Sequence, residues 1–171
     1  MSQSEDGRGY QTEQRILIRD AARAFTMKEV LPVANKLDGP DGIIPMELRQ
    51  KMADMGYFGI TIPEEYGGLG LGIFEYCLIC EQLARGWMSV SGIINTHFIV
   101  AYMLIQHGTE EQKQRYLPKM VCGDCVGAIA MTEPGAGSDL QSIRASAQPM
   151  ARAGRSTAPR LSSPTASTRI S

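Results

Sequence analysis

The sequence predicts a mainly α-helical protein that ends in one short β segment and a tail of different composition. Apolar residues recur at helical spacing through most of the first 121 residues, an apolar segment of strand length begins at Val126, and residues 149–171 are mainly Arg, Ala, Ser, Thr and Pro. The 171 residues, 43% hydrophobic and 20% charged, suffice for one globular domain. We predict a flexible N-terminus (1–11), a helical domain (12–121), the start of a β domain (122–148) and a disordered tail (149–171).

The first helix is predicted for residues 12–36, with Thr12 as a possible N-cap. Pro32 is expected to kink or end this helix because proline has no amide hydrogen to donate. The apolar residues expected to face the core at helical spacing are Ile16, Leu17, Ala21, Phe25 and Val30.

A Pro-Asp-Gly turn at 40–42 precedes the second helix, which has Pro45 in its first turn and stops at Gly56. Its predicted apolar stripe is Leu48, Met52 and Met55. Residues 61–72 (TIPEEYGGLGLG) read as a loop, and IFEYCLICEQLAR reads as a third helix closed by Gly86.

The fourth helix is predicted from Trp87 to near Gly108, and a short fifth helix follows it. Thr109 and Gln112 have capping-box spacing at the start of the fifth helix, and Pro118 is expected to follow its end. No Asp, Glu, Lys or Arg occurs between Trp87 and Thr109, and that length would span a bilayer. Polar residues interrupt the run, so we expect a helix buried on most sides of a soluble bundle.

Composition argues against several classes of function. The net charge is −1 and Lys and Arg do not cluster before residue 149, so we expect no nucleic-acid partner. The polar N-terminus resembles no targeting segment, so we expect a cytoplasmic protein without membrane association. Two Cys-x-x-Cys pairs, at Cys77 and Cys122, raise the possibility of zinc. The first pair lies in a predicted helix, whereas zinc knuckles present cysteines from turns, so we expect no metal and no disulfide.

The segment AIAMTEPGAGSDLQSI (128–143) is the candidate site, and a strand is predicted for VGAIAM (126–131) just before its turn. Gly135 and Gly137 lack a Cβ and let a ligand approach the main chain, while Thr132 and Ser138 offer hydroxyl groups. The spacing matches neither a Walker loop nor a dinucleotide fingerprint. A ligand loop and an ordinary Gly-Pro turn both remain open from these residues alone.

Four motifs resemble, in order, the acyl-CoA dehydrogenase flavoproteins: IPEEYGGLGL, QLARGW, EEQKQRYLP and MTEPGAGSDLQSI. The resemblance covers about residues 10–148. It implies the N-terminal helical domain of that fold and the first strand of its middle β domain, in a family whose enzymes end in a four-helix bundle. It also implies FAD as cofactor, an acyl-CoA substrate dehydrogenated at its α,β-bond, and a homotetrameric parent enzyme.

The resemblance also implies roles for individual residues. Ile129, Met131 and Thr132 would touch the isoalloxazine, although Ile129 departs from the aromatic residue often found there. Gly137 and Ser138 would meet the cofactor, and Ser138 also the thioester end of the substrate. No catalytic residue is expected, because the family's glutamate base lies in the C-terminal part; Glu133 is expected to stabilise the turn.

The tail suggests a shifted reading frame. In the family a hairpin resembling GWxINGxKxxITNG follows the signature, and residues 149–171 contain no such pattern. One permitted codon string for these residues reads DGAGWSINGSKTFITNGINPDL when its first two bases are skipped. The middle base of each shifted codon is fixed by the first base of an observed residue, which limits the freedom of this match.

We therefore expect a truncated, inactive acyl-CoA dehydrogenase whose coding sequence carries a frameshift of one or two bases near codon 148. The alternative is a small helical interaction module with a disordered basic tail. A flavin spectrum on purified protein separates the two.

Overall fold

The computed structural model describes residues 12–39, 42–148 and 155–157, which divide after Gly127 into two compact units. The first unit contains α1 (Glu13–Phe25), a π-helical turn (Thr26–Val30), α2 (Leu31–Leu37), α3 (Met46–Asp54), α4 (Ile73–Gly86), α5 (Met88–His107) and α6 (Glu110–Val121). The second contains a 3-10 turn (Leu140–Ser142), β1 (Ser146–Gln148) and β2 (Arg155–Thr157). The mainly helical prediction is confirmed.

The first helical rod runs through Pro32 instead of ending there. Thr12 caps it as predicted, because its hydroxyl accepts the amide hydrogen of Arg15 at 3.3 Å. Before the proline the helix widens into a π turn, in which the Leu31 amide donates to the carbonyl of Thr26. Pro32 then falls in the first turn of α2, where a missing amide hydrogen costs least.

The buried face of this rod differs from the predicted stripe. Phe25 and Val30 are buried as expected, but Leu17 and Ala21 are exposed. α1 packs against α4 through the neighbouring face, with Ala22 buried and Ile18 packed against the core. Adjacent helix positions lie about 100° apart, so a stripe displaced by one residue selects a different face.

The second helix keeps two of its three predicted core residues. Leu48 and Met52 are buried on α3, whereas Met55 is 41% exposed because the helix ends at Asp54. Pro45 is the residue just before the helix rather than part of its first turn. Residues 40 and 41 of the predicted turn lie outside the described residues.

The loop between α3 and α4 supplies much of the core, which its sequence did not suggest. Five of its side chains are buried: Tyr57, Phe58, Ile60, Ile62 and Tyr66. The amides of Leu69, Gly70 and Leu71 donate to the carbonyls of Gly59, Ile62 and Ile60, so the loop folds back on itself. These bonds satisfy backbone groups that burial would otherwise leave unpaired.

α5 packs between α4 and α6 and is buried along one face only. Its buried residues are Val90, Ile94, His97, Phe98 and Ala101. α5 is long and apolar enough to cross a membrane, and 28% of its most apolar window is buried. The expected burial on most sides is therefore wrong, because the part of the chain that the structure describes leaves the opposite face uncovered.

α6 begins with the predicted capping box. The Thr109 hydroxyl accepts the Gln112 amide hydrogen at 3.3 Å, and the Gln112 side chain accepts from the Thr109 amide at 2.9 Å. Pro118 lies inside the helix and not after it. Burial of Leu117 and Met120 on either side of the proline offsets the missing backbone bond and carries the helix to Val121.

The second unit corrects the strand prediction. Residues 126–131 form no strand, since the described residues offer them no neighbouring strand with which to pair. β1 and β2 instead form an antiparallel pair in which Ser146 lies opposite Thr157. β2 lies within the predicted tail (149–171), whose other residues lie outside the described residues.

Candidate functional site

The turn Glu133–Ala136 is closed by two backbone hydrogen bonds. The Glu133 amide donates to the carbonyl of Ala136 at 2.9 Å, and the Ala136 amide donates back to the carbonyl of Glu133 at 3.1 Å. Ala136, the last residue of the turn, is buried, although the residues on either side of it are exposed. Pro134 and Gly135 occupy its tip, where proline fixes one backbone angle.

The Glu133 carboxylate holds the turn against the following segment. Its two oxygens accept the amide hydrogens of Arg144 and Ala145, at 2.9 and 2.8 Å. Both oxygens are thus engaged with backbone donors, which is a structural use of the side chain. The expectation that Glu133 stabilises the turn is confirmed.

The Asp139 carboxylate is also engaged. It accepts the hydroxyl hydrogen of Ser142, while the Asp139 carbonyl accepts the Ser142 amide hydrogen at 3.2 Å. These bonds shape the 3-10 turn after the site. The two acidic residues of the motif therefore support its backbone.

The five candidate cofactor residues lie at or near the surface of their unit. Met131 is 47% exposed, Thr132, Gly137 and Ser138 are exposed, and Ile129 is half-buried. Within the described residues, the hydroxyls of Thr132 and Ser138 have no hydrogen-bond partner. Both groups are therefore available to a ligand.

Nothing in the described structure requires glycine, for steric reasons, at positions 135 and 137 of the motif. A Cβ built on Gly135 or Gly137 would meet nothing within 4 Å, and neither residue has a positive φ. The surrounding chain thus tolerates a larger residue at both positions. The open space beside these glycines would allow a ligand to approach the backbone closely.

One residue that contacts the chain next to the segment is not among the sequence-predicted site residues. His97 is buried and accepts the amide hydrogen of Gly127, the residue just before the segment, at 3.3 Å. No sequence signal connects positions 97 and 127, because the contact depends on how α5 packs against the chain that follows α6.

The cysteines show no metal geometry. Cys77 and Cys80 lie on α4, Cys122 and Cys125 follow the end of α6, and all four are free. Across the described ranges, no group of three or more His, Cys, Asp or Glu side chains is placed to hold a metal ion.

Comparison with known proteins identifies the family of this chain. The family model described as "Acyl-CoA dehydrogenase, N-terminal domain" matches residues 12–124. The (2S)-methylsuccinyl-CoA dehydrogenase of Cereibacter sphaeroides is 39% identical over 132 residues, which are 77% of this chain and 24% of that protein. The 3-(aryl)acrylate reductase of Clostridium sporogenes is 40% identical over 141 residues, which are 80% of this chain and 36% of that protein.

A solved structure shows the same fold. The acyl-CoA dehydrogenase from Geobacillus kaustophilus superposes with a TM-score of 0.74 at 41% identity, covering 81% of this chain and 36% of that one. The chain therefore spans about a third or less of the length of the relatives that it matches.

Proposed function

Since this chain belongs to the acyl-CoA dehydrogenase family, we propose that it supplies the helical domain and the flavin-facing segment of an FAD-dependent enzyme that dehydrogenates an acyl-CoA thioester between its α and β carbons. The observation that carries the proposal is the likeness to an acyl-CoA dehydrogenase over 81% of the chain. The activity belongs to a protein longer than the segment compared, because the chain spans only 24–36% of these relatives.

The residues of the second unit fit a flavin. The exposed hydroxyls of Thr132 and Ser138 have no partner in the part of the chain that the structure describes, and a side chain on Gly137 would meet open space. These groups would offer hydrogen bonds to a bound flavin, and Ile129 and Met131 would add apolar contacts that exclude water. When bound, FAD supplies the acceptor for the substrate's β-hydrogen as hydride. Ser138 also orients the thioester end of the substrate.

The segment orients and binds but supplies no base for the α-proton. Glu133 is held by two backbone amides and Asp139 by Ser142, so neither carboxylate is positioned to abstract a proton. The proposed base is the glutamate that the family carries C-terminal to this region, and the chain alone is inactive.

The test is FAD binding to the purified chain, followed by flavin fluorescence. We expect Thr132→Val and Ser138→Ala each to weaken binding about tenfold, as the loss of one hydrogen bond predicts. Thr96→Val is the matched control, because that hydroxyl bonds only to carbonyls of its own helix. Equal affinity in all three variants would reject the assigned flavin site.

We further propose that residues 149–171 arise from a reading-frame slip. The support is the permitted codon string that spells the family hairpin in another frame. Sequencing the gene tests it directly: the proposal fails if codons 145–171 spell no such hairpin in any frame. Restoring the frame is expected to raise FAD affinity, because the hairpin would add contacts to the ring.

A second candidate is a helical interaction module. The uncovered face of α5 favours it, since Met88, Ile99, Tyr102 and Met103 are exposed there without a charged residue among them. In the parent enzyme we propose that further domains and a homotetramer cover such surface, in a cytoplasmic protein. A stable, flavin-free monomer that binds a partner through α5 would favour the module.

A further inference from the structure

His97 lies at the centre of the helical unit, on the buried face of α5. Its side chain is 0% exposed and packs edge-on against two aromatic rings. The centroid of its ring is 5.2 Å from that of Phe58 and 5.5 Å from that of Phe98. The ring is therefore fixed on both sides by apolar neighbours.

Both ring nitrogens have backbone partners, and together they determine the tautomer. Nε2 lies 3.0 Å from the carbonyl oxygen of Phe58, which can only accept, so Nε2 carries the hydrogen. Nδ1 is then free to accept, and the Gly127 amide donates to it at 3.3 Å. One neutral tautomer satisfies both contacts, and burial lowers the pKa of His97 to about 4, which keeps the ring neutral near pH 7.

Gly127 contacts α5 at a second point. A Cβ on this residue would lie 2.6 Å from the Cβ of Val100, so the backbone passes against the helix as only glycine permits. Cys125 and Val126, just before it, pack against the core. Gly127 is thus the last residue of the helical unit, and Ala128 begins the unit that contains the candidate flavin residues.

We propose that His97 is a positioning residue, which fixes the start of the flavin-facing segment by holding the Gly127 amide. This inference rests on the proposed function for the role of the segment, and on contacts within the helical unit for the anchoring itself. An anchor at this point limits the conformations of the segment before a ligand binds, and so lowers the entropy that binding must remove.

Two substitutions separate anchoring from packing. In His97→Asn the side-chain oxygen lies near the position of Nδ1 and still accepts from Gly127. In His97→Gln the amide reaches the position of Nε2, keeps a donor for Phe58 and leaves Gly127 without its acceptor. Both variants remove the ring, so the loss of aromatic packing is common to both.

The measurement is amide hydrogen exchange at Gly127, followed by NMR on the full chain, with buried amides of α5 as internal references. We expect Gly127 exchange in His97→Gln to be about tenfold faster than in His97→Asn, which is the effect of one hydrogen bond. Equal rates in the two variants would overturn the proposal, because packing alone would then account for them.

A second measurement needs no variant that might fail to fold. The nitrogen chemical shifts of His97 in the wild-type chain should show hydrogen on Nε2 and a lone pair on Nδ1, and the opposite tautomer would also overturn the proposal. FAD titration distinguishes anchoring by His97 from the proposed function of the segment. Weaker binding in His97→Gln than in His97→Asn supports both, whereas a difference in exchange with no FAD binding in any protein leaves the anchor intact and rejects the proposed function.

Discussion

The hydroxyl of Tyr66 donates to the carboxylate of Glu110, with its oxygen 3.1 and 3.2 Å from the two carboxylate oxygens. This bond joins the 3-10 turn Glu64–Tyr66 to the first turn of α6, 44 residues later in the chain. Tyr66 is 6% exposed, so the bond also satisfies a hydroxyl that has been removed from water. Tyr66 is consequently part of the helical unit's packing, whereas Glu64 and Glu65 just before it are exposed.

The first prediction removes that hydroxyl. Tyr66→Phe should lower the free energy of unfolding by about 1–2 kcal/mol, because a bond to a charged acceptor is lost and Glu110 loses one of its donors. Urea denaturation followed by circular dichroism measures the change. An unchanged midpoint would show that water replaces the hydroxyl without cost.

The second prediction concerns Tyr57, where the same substitution should act in the opposite direction. Its hydroxyl is buried and has no hydrogen-bond partner among the described residues, and desolvation raises its pKa to about 12. Tyr57→Phe removes an unsatisfied polar atom and keeps the edge contact with Phe25, so stability should rise by up to about 1 kcal/mol. A destabilised variant would show that the hydroxyl has a partner.

The helices could be predicted because their signals are local. Thr12 was predicted as a cap from its place before the first helix and Thr109 from its spacing to Gln112, and both hydroxyls accept as expected. The exact buried face was not predictable, since Leu17 and Ile18 have similar hydrophobicity and only the position of α4 decides between them.

The long-range contacts could not be predicted from the sequence. Nothing local indicates that Ile60 and Ile62 enter the core from a loop, or that Tyr66 reaches Glu110. The candidate site shows the same division: its turn was evident from Pro134 and the glycines, but the two amides that hold Glu133 lie 11 and 12 residues away. The strand prediction for residues 126–131 was wrong because a strand forms only when a neighbouring strand pairs with it, whatever its own residues favour.

The third prediction compares two glycines. A Cβ on Gly68 would lie 2.0 Å from the Ile62 carbonyl oxygen, so Gly68→Ala must move the loop whose residues fill the core. We expect a loss of at least about 3 kcal/mol, in the range of other severe backbone clashes. The midpoint of thermal unfolding is the readout.

Gly92→Ala is the matched control for that comparison. Gly92 is exposed on α5 and its Cβ would meet nothing within 4 Å, so alanine should stabilise the helix by about 0.5–1 kcal/mol. Similar unfolding midpoints for the two variants would mean that the loop around Gly68 adjusts freely, contrary to its hydrogen bonds with residues 59–62.

The fourth prediction is a dependence of stability on pH that originates in His97. Burial lowers its folded-state pKa to about 4, below the ordinary 6.5, and its aromatic and backbone partners Phe58, Phe98 and Gly127 carry no charge. Between these two values the unfolded chain binds a proton that the folded chain does not. The stability from the neutral ring is therefore complete above pH 6.5 and is lost as the pH falls toward 4, by about 3 kcal/mol in total.

The difference between wild type and His97→Asn isolates this contribution. Glu29 and Glu75, whose pKa values are lowered by hydrogen bonds from Lys51 and Arg15, add the same acid dependence to both proteins and cancel. Urea unfolding at a series of pH values should show the wild type losing its advantage over the variant as the pH falls from 6.5 to 4. An equal dependence on pH in wild type and His97→Asn would contradict the assignment.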